Sequence, residues 1–286
     1  MRSVKFLLAA GAASLMSSTA VFAADMAIAP PPPQMYAPPP VEDFGGWYLR
    51  GDVGMTNTKG KLLAPGYSDA STVAYQQNGH EFTSGTSYGV GVGYQFNSWF
   101  RADVTGEYRS KVNFSGTDFV SVNGLRGVPG VSPLADSYNG GYSSWVAMVN
   151  GYVDLGTWWC VTPFIGAGVG GAYNKTTGLS DIATFPANNF STSAYYANGS
   201  EKWNLAWAVH AGLAYKVNNN FTVELAYRYL DLGTALTGGG SNFAGGTSTR
   251  AFEYRNLTSQ DVRLGVRWNL DAAPAYAPPP PLIRKG

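Results

Sequence analysis

The segment 261–270, DVRLGVRWNL, alternates without a break between two classes of residue. Its even-numbered positions are apolar or aromatic, and its odd-numbered positions are charged, amide or glycine. A period of two places these classes on opposite faces of a β-strand, so the segment predicts a strand with one apolar and one polar face. One such strand fits a soluble sheet as well as a membrane barrel, so its partners decide between them.

Seven further segments follow the same rule. They are 47–55, 88–96, 100–109, 143–155, 161–173, 203–217 and 221–229. Their lengths are close to the ~9–11 residues that a tilted strand needs to cross a bilayer. The chain also has 36 glycines, 14% aromatic residues and only 13% charged residues, a composition that favours a small closed barrel over a helical domain. The sequence therefore predicts an all-β fold, an eight-stranded antiparallel transmembrane β-barrel.

The N-terminus has the organisation of an export signal. Arg2 and Lys5 precede an apolar stretch, and small residues precede a cleavage site after Ala23. The predicted parts of the chain are a signal peptide at 1–23, a Pro-rich leader at 24–44, a barrel at 45–270 and a Pro-rich tail at 271–286. Losing Arg2 and Lys5 removes two positive charges and takes the net charge from +1 to −1, which gives no basic field for nucleic acid.

The connections between the predicted strands alternate in length. Three are tight turns, at 97–98, 156–160 and 218–220. The others are long and rich in Gly, Ser, Thr and Asn, and they span roughly 57–86, 115–142, 174–202 and 233–256. Short turns on one rim and long loops on the other are typical of a barrel in the outer membrane, with short periplasmic turns and long extracellular loops. A soluble lipocalin-like barrel is the alternative, and it would turn the apolar face inward.

The polar face of the predicted strands carries charges of both signs in nearly equal number. They are Arg50, Asp52, Arg101, Asp103, Glu107, Arg109, Asp154, Lys216, Glu224, Arg228, Asp261, Arg263 and Arg267, seven positive and six negative. An eight-stranded barrel is about wide enough for side chains to fill its interior. Because an unpaired buried charge costs several kcal/mol, near-neutral pairing predicts an ionic plug in the lumen.

Few residues suggest a ligand or a reaction. The segment 166–171 matches a dinucleotide-binding fingerprint by letter, but no helix is predicted after it. We expect Gly166, Gly168 and Gly170 instead to make room for bulky residues across the lumen. His80 falls in the first long loop as a solvated side chain, and His210 faces inward without a nearby ligand partner. The sequence predicts no metal, no cofactor and no enzymatic activity.

Two segments and the N-terminal region resemble a known family. FGGWYLRG at 44–51 opens the first strand, VRLGVRW at 262–268 closes the last, and Ala24-Asp25 follows the predicted cleavage site. With the Pro-rich leader, these features are similar to the small outer-membrane β-barrels of alphaproteobacteria of the RopB type. The resemblance implies structural proteins that contact outer-membrane lipid and lipopolysaccharide and are inserted by the barrel-assembly machinery. This chain departs from the family's pattern because residues 271–286 follow the last strand.

The resemblance also implies an attachment site and leaves alternatives open. Several barrels of this kind that begin with Ala-Asp are joined to peptidoglycan through the N-terminal amine, which here belongs to Ala24, followed by Asp25. Other members bind haemin or host surfaces. The leading hypothesis is a structural envelope protein, and the alternatives are a haemin- or host-binding surface protein and a narrow porin. Loop residues suited to iron are Tyr67, Tyr75, His80, Tyr138, Tyr195 and Tyr196.

Overall fold

The computed structural model describes residues 45–63, 74–121, 134–185, 191–249 and 251–270. The predicted signal peptide, leader and tail lie outside the described residues. The strands are β1 Gly46–Leu63, β2 Ala74–Phe82, β3 Gly85–Gln95, β4 Phe100–Ser121, β5 Leu134–Asp154, β6 Val161–Phe185, β7 Ser191–Ala197, β8 Ser200–Lys216, β9 Phe221–Leu236, β10 Gly240–Asn242, β11 Thr247–Ser248 and β12 Glu253–Asn269. The described part of the chain holds no helix with the length and apolarity to span a bilayer.

Eight of these strands form a closed ring. Their order is β6-β5-β4-β3-β1-β12-β9-β8, and β8 pairs with β6 to close it. Every pairing in the ring is antiparallel. The first and last strands are neighbours, with Tyr48 opposite Asn269 and Met55 opposite Val262. The predicted eight-stranded antiparallel barrel is confirmed, and closure leaves no free edge in the membrane-spanning part.

The short turns are held by asparagine side chains and by backbone conformation. Asn97 Oδ1 accepts hydrogen bonds from the backbone N–H groups of Trp99 (3.0 Å) and Phe100 (2.7 Å). Asn218 Oδ1 does the same for two N–H groups of the third turn. In the second turn, Cys160 is exposed and has a φ of 71°. Each turn reverses the chain within a few residues, which fixes the register of the strands on either side.

The predicted bounds of the long loops are wrong, because strands occupy much of the length assigned to them. β4 extends to Ser121, β5 begins at Leu134 and β6 runs for 25 residues to Phe185. These lengths exceed the ~9–11 residues that cross a bilayer. The alternation persists beyond the membrane because inward residues such as Val112 and Phe114 are buried there (2% and 1% exposed). The barrel wall therefore extends past the bilayer, and β2 and β7 add to it by pairing with β4 and β6.

The outer wall carries an apolar band between two levels of aromatic side chains. At one level, laterally paired strands place aromatic residues side by side, namely Tyr88, Tyr108, Trp145, Tyr173 and Trp203. At the other level, Trp47 contacts Tyr94 with ring centroids 5.3 Å apart, and Phe221 stacks on Trp268 at 5.7 Å. Aromatic girdles of this kind mark the two interfaces of a barrel in the outer membrane.

Candidate functional site: the closed lumen

The lumen is lined by strands of two kinds. β1, β4, β9 and β12 carry most of the inward charges, whereas β3, β6 and β8 present mainly glycine, alanine and other small residues. A methyl group on Gly89 would lie 3.1 Å from Asp52 Oδ2, and one on Gly91 would lie 3.1 Å from Arg50 Cγ. Glycine on one strand therefore makes the space that a charged side chain on its neighbour occupies.

The glycines of β6 also make space for side chains on a neighbouring strand. This corrects the expectation that they make room for bulky residues across the lumen. A methyl group on Gly166 would lie 2.5 Å from Tyr152 Cδ1, and one on Gly168 would collide with Asn150. Both of these bulky residues belong to the adjacent strand β5, not to a strand across the lumen. The Tyr152 ring lies in this space and forms a platform for the Arg101 guanidinium, whose Cζ is 4.2 Å from the ring centroid.

Six charges near the short-turn rim form a first cluster, called here the lower cluster. Its members are Arg50, Arg101, Asp103, Asp154, Glu224 and Arg267. Arg50 Nη1 donates to Asp103 Oδ2 at 2.7 Å, and Arg101 lies 3.3 Å from both Asp154 and Glu224. A neutral donor also takes part, since Asn150 donates to Asp103 at 2.8 Å. Three positive and three negative groups thus meet from five strands.

Six charges deeper in the lumen form the upper cluster. Its members are Asp52, Glu107, Arg109, Arg228, Asp261 and Arg263. The Arg228 guanidinium donates to both oxygens of Glu107, at 2.8 and 2.6 Å, and to Asp261 at 2.6 and 2.9 Å. Arg109 donates to both oxygens of Asp261, at 2.8 and 3.1 Å. Bidentate pairs of this kind are the strongest charge-assisted hydrogen bonds, and this cluster also contains three charges of each sign.

One residue joins the two clusters. Asp52 lies 3.5 Å from Arg50 of the lower cluster and forms an ion pair with Arg263 of the upper cluster. All twelve side chains are at least nine-tenths buried, with at most 9% of any of them exposed. Because each cluster is neutral by itself, their burial leaves no net charge in the lumen.

Lys216, the thirteenth residue of the predicted plug, does not join it. Its side chain is exposed and lines a cavity at the short-turn rim with Arg267 and Asn269. Lys216 is the last residue of β8, so its inward position falls at the open mouth, where water solvates an ammonium group. His210, further along the inward face of β8, is buried like Ala206, Ala208 and Ala214, and its ring lies 5.4 Å from that of Tyr152.

Beyond the upper cluster apolar side chains fill most of the interior, which the sequence interpretation missed. A continuous set of buried side chains fills the barrel above the girdle level, and it is called here the apolar core. Its larger members are Leu62, Val112, Phe114, Tyr138, Tyr142, Leu179, Leu230, Leu232, Phe252, Tyr254 and Leu257. The signal for it was the continuation of alternating apolar residues from 112 to 114 and from 230 to 232. The lumen is therefore filled by two chemically different layers.

The sequence predicted that His80 is a solvated loop residue, and this prediction is wrong. It lies on β2 with 8% of its side chain exposed, and its Nε2 is 2.5 Å from Asp118 Oδ1. Its ring packs edge-on against Phe114 and Tyr138, with centroids 5.5 and 6.2 Å away. Tyr138 is itself buried. His80 and Tyr138 therefore do not belong to an open ligand site, and the described residues contain no group of three or more His, Cys, Asp or Glu side chains that could hold a metal ion. Tyr67 lies outside the described residues.

A small group of carboxyl groups lies near this histidine, beyond the membrane-spanning segments. Asp118 is directly opposite Asp136 in the pairing of β4 and β5, and Asp181 of β6 is the third member. Burial, together with the negative charges of Asp136 and Asp118, raises the pKa of Asp181 to about 7. This carboxyl group therefore changes its charge near neutral pH.

Comparisons with known proteins agree with this architecture. Residues 8–269 match the family model described as the outer membrane protein beta-barrel domain. A protein of Brucella suis biovar 1 is 32% identical over 236 residues, covering 76% of this chain and 77% of its own. The outer membrane protein PagN of Salmonella typhimurium is 26% identical, covering 63% of this chain and 71% of its own. The structure of OprG from Pseudomonas aeruginosa is 16% identical, covers 80% of this chain and 97% of its own, and has a TM-score of 0.46. The chain belongs to the outer membrane protein beta-barrel family and lies in the outer membrane.

Proposed function

We propose that this protein is a structural, non-enzymatic barrel that stabilises the cell envelope and does not conduct solutes. The observation that carries the proposal is the filled lumen. Two neutral ionic clusters occupy the membrane-spanning part, and the apolar core closes the interior above them. A pore needs a continuous polar path, whereas these layers leave paired charges below and a mainly apolar interior above.

Loss of the chain from its own cell tests the structural role. We expect a deletion strain to become more sensitive to detergent and to release more outer-membrane vesicles. Full-length chain expressed in that strain should restore the barrier, and an unrelated outer-membrane barrel at equal abundance should not. An unchanged barrier in the deletion strain would refute the structural proposal.

The narrow porin is the alternative that the lumen argues against most directly. Purified chain in lipid vesicles should cause no more swelling in isosmotic sugar solutions than protein-free vesicles. A general porin added to the same vesicles serves as the positive control. Swelling at a rate that rises with the amount of this chain would replace the structural proposal with the porin.

The proposal extends to a covalent link with peptidoglycan. Ala24 and Asp25 lie outside the described residues, so the support comes from the sequence and its family resemblance. After cleavage, the amine of Ala24 would begin a leader of about twenty residues, which at ~3.1 Å per residue could reach roughly 60 Å. An α-amine has a pKa of about 7.7–8.0, so more of it is unprotonated at neutral pH than of a lysine. It would attack an acyl donor in the peptidoglycan stem and release the displaced amine.

Mass spectrometry of purified sacculi tests this link. Sacculi boiled in detergent and digested should yield a peptide that starts at Ala24 and carries a muropeptide through an amide bond. A variant with Pro inserted before Asp25 provides a comparison in which the acceptor is hindered. Recovery of the N-terminal peptide only as a free amine would end the tether hypothesis and leave the lumen argument unchanged.

A further inference from the structure

Three inward residues lie side by side at the short-turn mouth of the barrel, and they are called here the mouth row. Lys216 of β8 is opposite Thr222 of β9, and Thr222 is opposite Arg267 of β12. Because neighbouring strands lie about 4.8 Å apart, the Cα atoms of the two cations are separated by roughly 10 Å, with a hydroxyl group between them. All three residues line a cavity of about 340 Å³ at this rim.

Arg267 is the arginine of the lower cluster whose N–H groups are least satisfied. Arg50 and Arg101 each donate a hydrogen bond to a carboxylate, whereas Arg267 Nε lies 3.7 Å from Glu224. Within the described residues, Nε and Nη1 of Arg267 have no hydrogen-bond partner, although only 9% of the side chain is exposed. One face of its guanidinium lies over the Tyr48 ring at 5.3 Å, so the in-plane N–H groups are left for another acceptor. Since an unpaired buried donor is costly, an acceptor that enters the cavity would be held there.

The mouth carries one positive charge in excess. The lower cluster is neutral by itself, and Lys216 lies beside it without an ion pair to any described residue. Asp154 also lines the cavity, but it is paired with Arg101 at 3.3 Å. Arg50 lies opposite Arg267 on β1, which places a further cation next to the mouth row. One singly charged anion would therefore neutralise the mouth, whereas a phosphate, with a charge of about −1.5 to −2 at pH 7, would leave an excess of negative charge near Asp154.

We propose that the mouth row binds the carboxylate of a small solute. The carboxylate accepts hydrogen bonds from the Arg267 guanidinium and the Thr222 hydroxyl, and the Lys216 ammonium balances its charge. Two carboxylate oxygens match the fork of a guanidinium, which a spherical chloride ion does not, so the site selects by shape as well as by charge. Short turns of outer-membrane barrels face the periplasm, so the solute enters from that side. The inference goes beyond the proposed structural role, which requires no ligand.

Titration with acetate, followed by NMR of the folded full-length chain labelled with nitrogen-15 arginine, tests the site. The Nε–H signal of Arg267 is the one that Arg267→Lys removes. We expect this signal to move saturably with sodium acetate and not with sodium chloride at the same concentration. Lys216→Ala and Thr222→Val should each raise the Kd for acetate about fivefold, since each removes one ion pair or one hydrogen bond. Lys59→Ala, an exposed lysine far along β1 from this rim, is the matched control and should bind acetate as the parent chain does.

Three outcomes would overturn the site. Equal movement of the signal with acetate and with chloride would show that a carboxylate is not selected. An unchanged Kd in Lys216→Ala would remove the mouth row from the account, and an equal increase in Lys59→Ala would reduce the effect to overall charge. Heat-modifiable gel mobility confirms that each variant is folded. Urea unfolding in acetate and in chloride needs no assigned signal: acetate should stabilise the parent chain more than it stabilises Lys216→Ala, and equal stabilisation would refute the proposal.

Discussion

The membrane-spanning part of the barrel interior and the part beyond the membrane are filled by chemically different side chains. Within the membrane-spanning part, twelve charged side chains pair in two neutral clusters. Above it, apolar and aromatic side chains such as Phe114 and Leu257 fill the interior of the same barrel. In the membrane the outward face must be apolar, so alternation places the polar residues inside. Beyond the membrane the outward face is in water, and the inside is filled mainly by apolar side chains, with a few buried polar ones such as Asp118 among them.

The two regions also differ in what holds them together. An apolar core is stabilised by burial of surface and tolerates a change of partner of similar volume. A buried ion pair adds little to the free energy of unfolding compared with an apolar replacement of both partners. The loss of one partner, however, leaves a buried charge without compensation. We therefore expect the membrane-spanning part to be the more specific region, in which a charged side chain tolerates a change of partner less well than an apolar one does. The following predictions test this difference.

The largest effect is expected when one member of the upper cluster is removed. Arg228→Met leaves Glu107 and Asp261 with an excess negative charge in a buried site. We expect the free energy of unfolding to fall by about 3–5 kcal/mol. Urea unfolding in vesicles, followed by tryptophan fluorescence, measures it. Arg255→Met is the matched control, since its pair with Glu253 is exposed and should contribute at most ~1 kcal/mol. Equal losses in the two variants would contradict the account.

A somewhat smaller loss is expected in the apolar core. Leu257 is fully buried, and Leu257→Ala should lower the free energy of unfolding by roughly 2–5 kcal/mol through lost burial and the remaining cavity. Leu257→Met keeps the volume and should cost less than about 1.5 kcal/mol. Both are measured by the same unfolding experiment. A loss for Leu257→Met as large as that for Leu257→Ala would show that this region depends on specific pairing as well.

Coupling energies test the division into two clusters. Arg50 and Asp103 are in contact at 2.7 Å, so a double-mutant cycle with Arg50→Met and Asp103→Leu should give an interaction energy of about 0.5–3 kcal/mol. Arg50 and Asp261 belong to different clusters and share no partner. Their cycle with Asp261→Leu should be additive within about 0.5 kcal/mol. Strong coupling in the second cycle would merge the clusters into one network.

The smallest effect concerns pH in the extended wall. The pKa of Asp181 is raised from 3.8 to about 7, so the folded state keeps its proton where the unfolded state has lost it. Stability is therefore highest below the unfolded pKa and falls as pH rises towards 7, then stays level. Hydrogen exchange in the β6–β7 hairpin should become faster over this range relative to Asp181→Asn, which has no charge to lose. A constant ratio between the two proteins across the range would refute this.

The sequence predicted the membrane-spanning part well and the rest poorly. Segments such as 261–270 alternate strictly because the bilayer and the narrow lumen impose this alternation on every residue. The closed ring, the two faces of each strand and the inward charges could therefore be predicted from the pattern. Pairing partners did not follow, since whether Arg228 meets Glu107 or Asp103 depends on the stagger of strands far apart in sequence. Beyond the membrane, frequent Gly, Ser and Asn concealed strands that pairing with β4 and β6 stabilises.

Planar-bilayer recording of the purified full-length chain tests the closed lumen most directly. Charges that are paired within neutral clusters, below an apolar core, leave no continuous path for ions. We predict no stable conductance above the baseline of protein-free membranes, at either polarity and over the range of salt concentrations in which the barrel keeps its heat-modifiable gel mobility. A reproducible, long-lived channel from the folded chain would contradict the account.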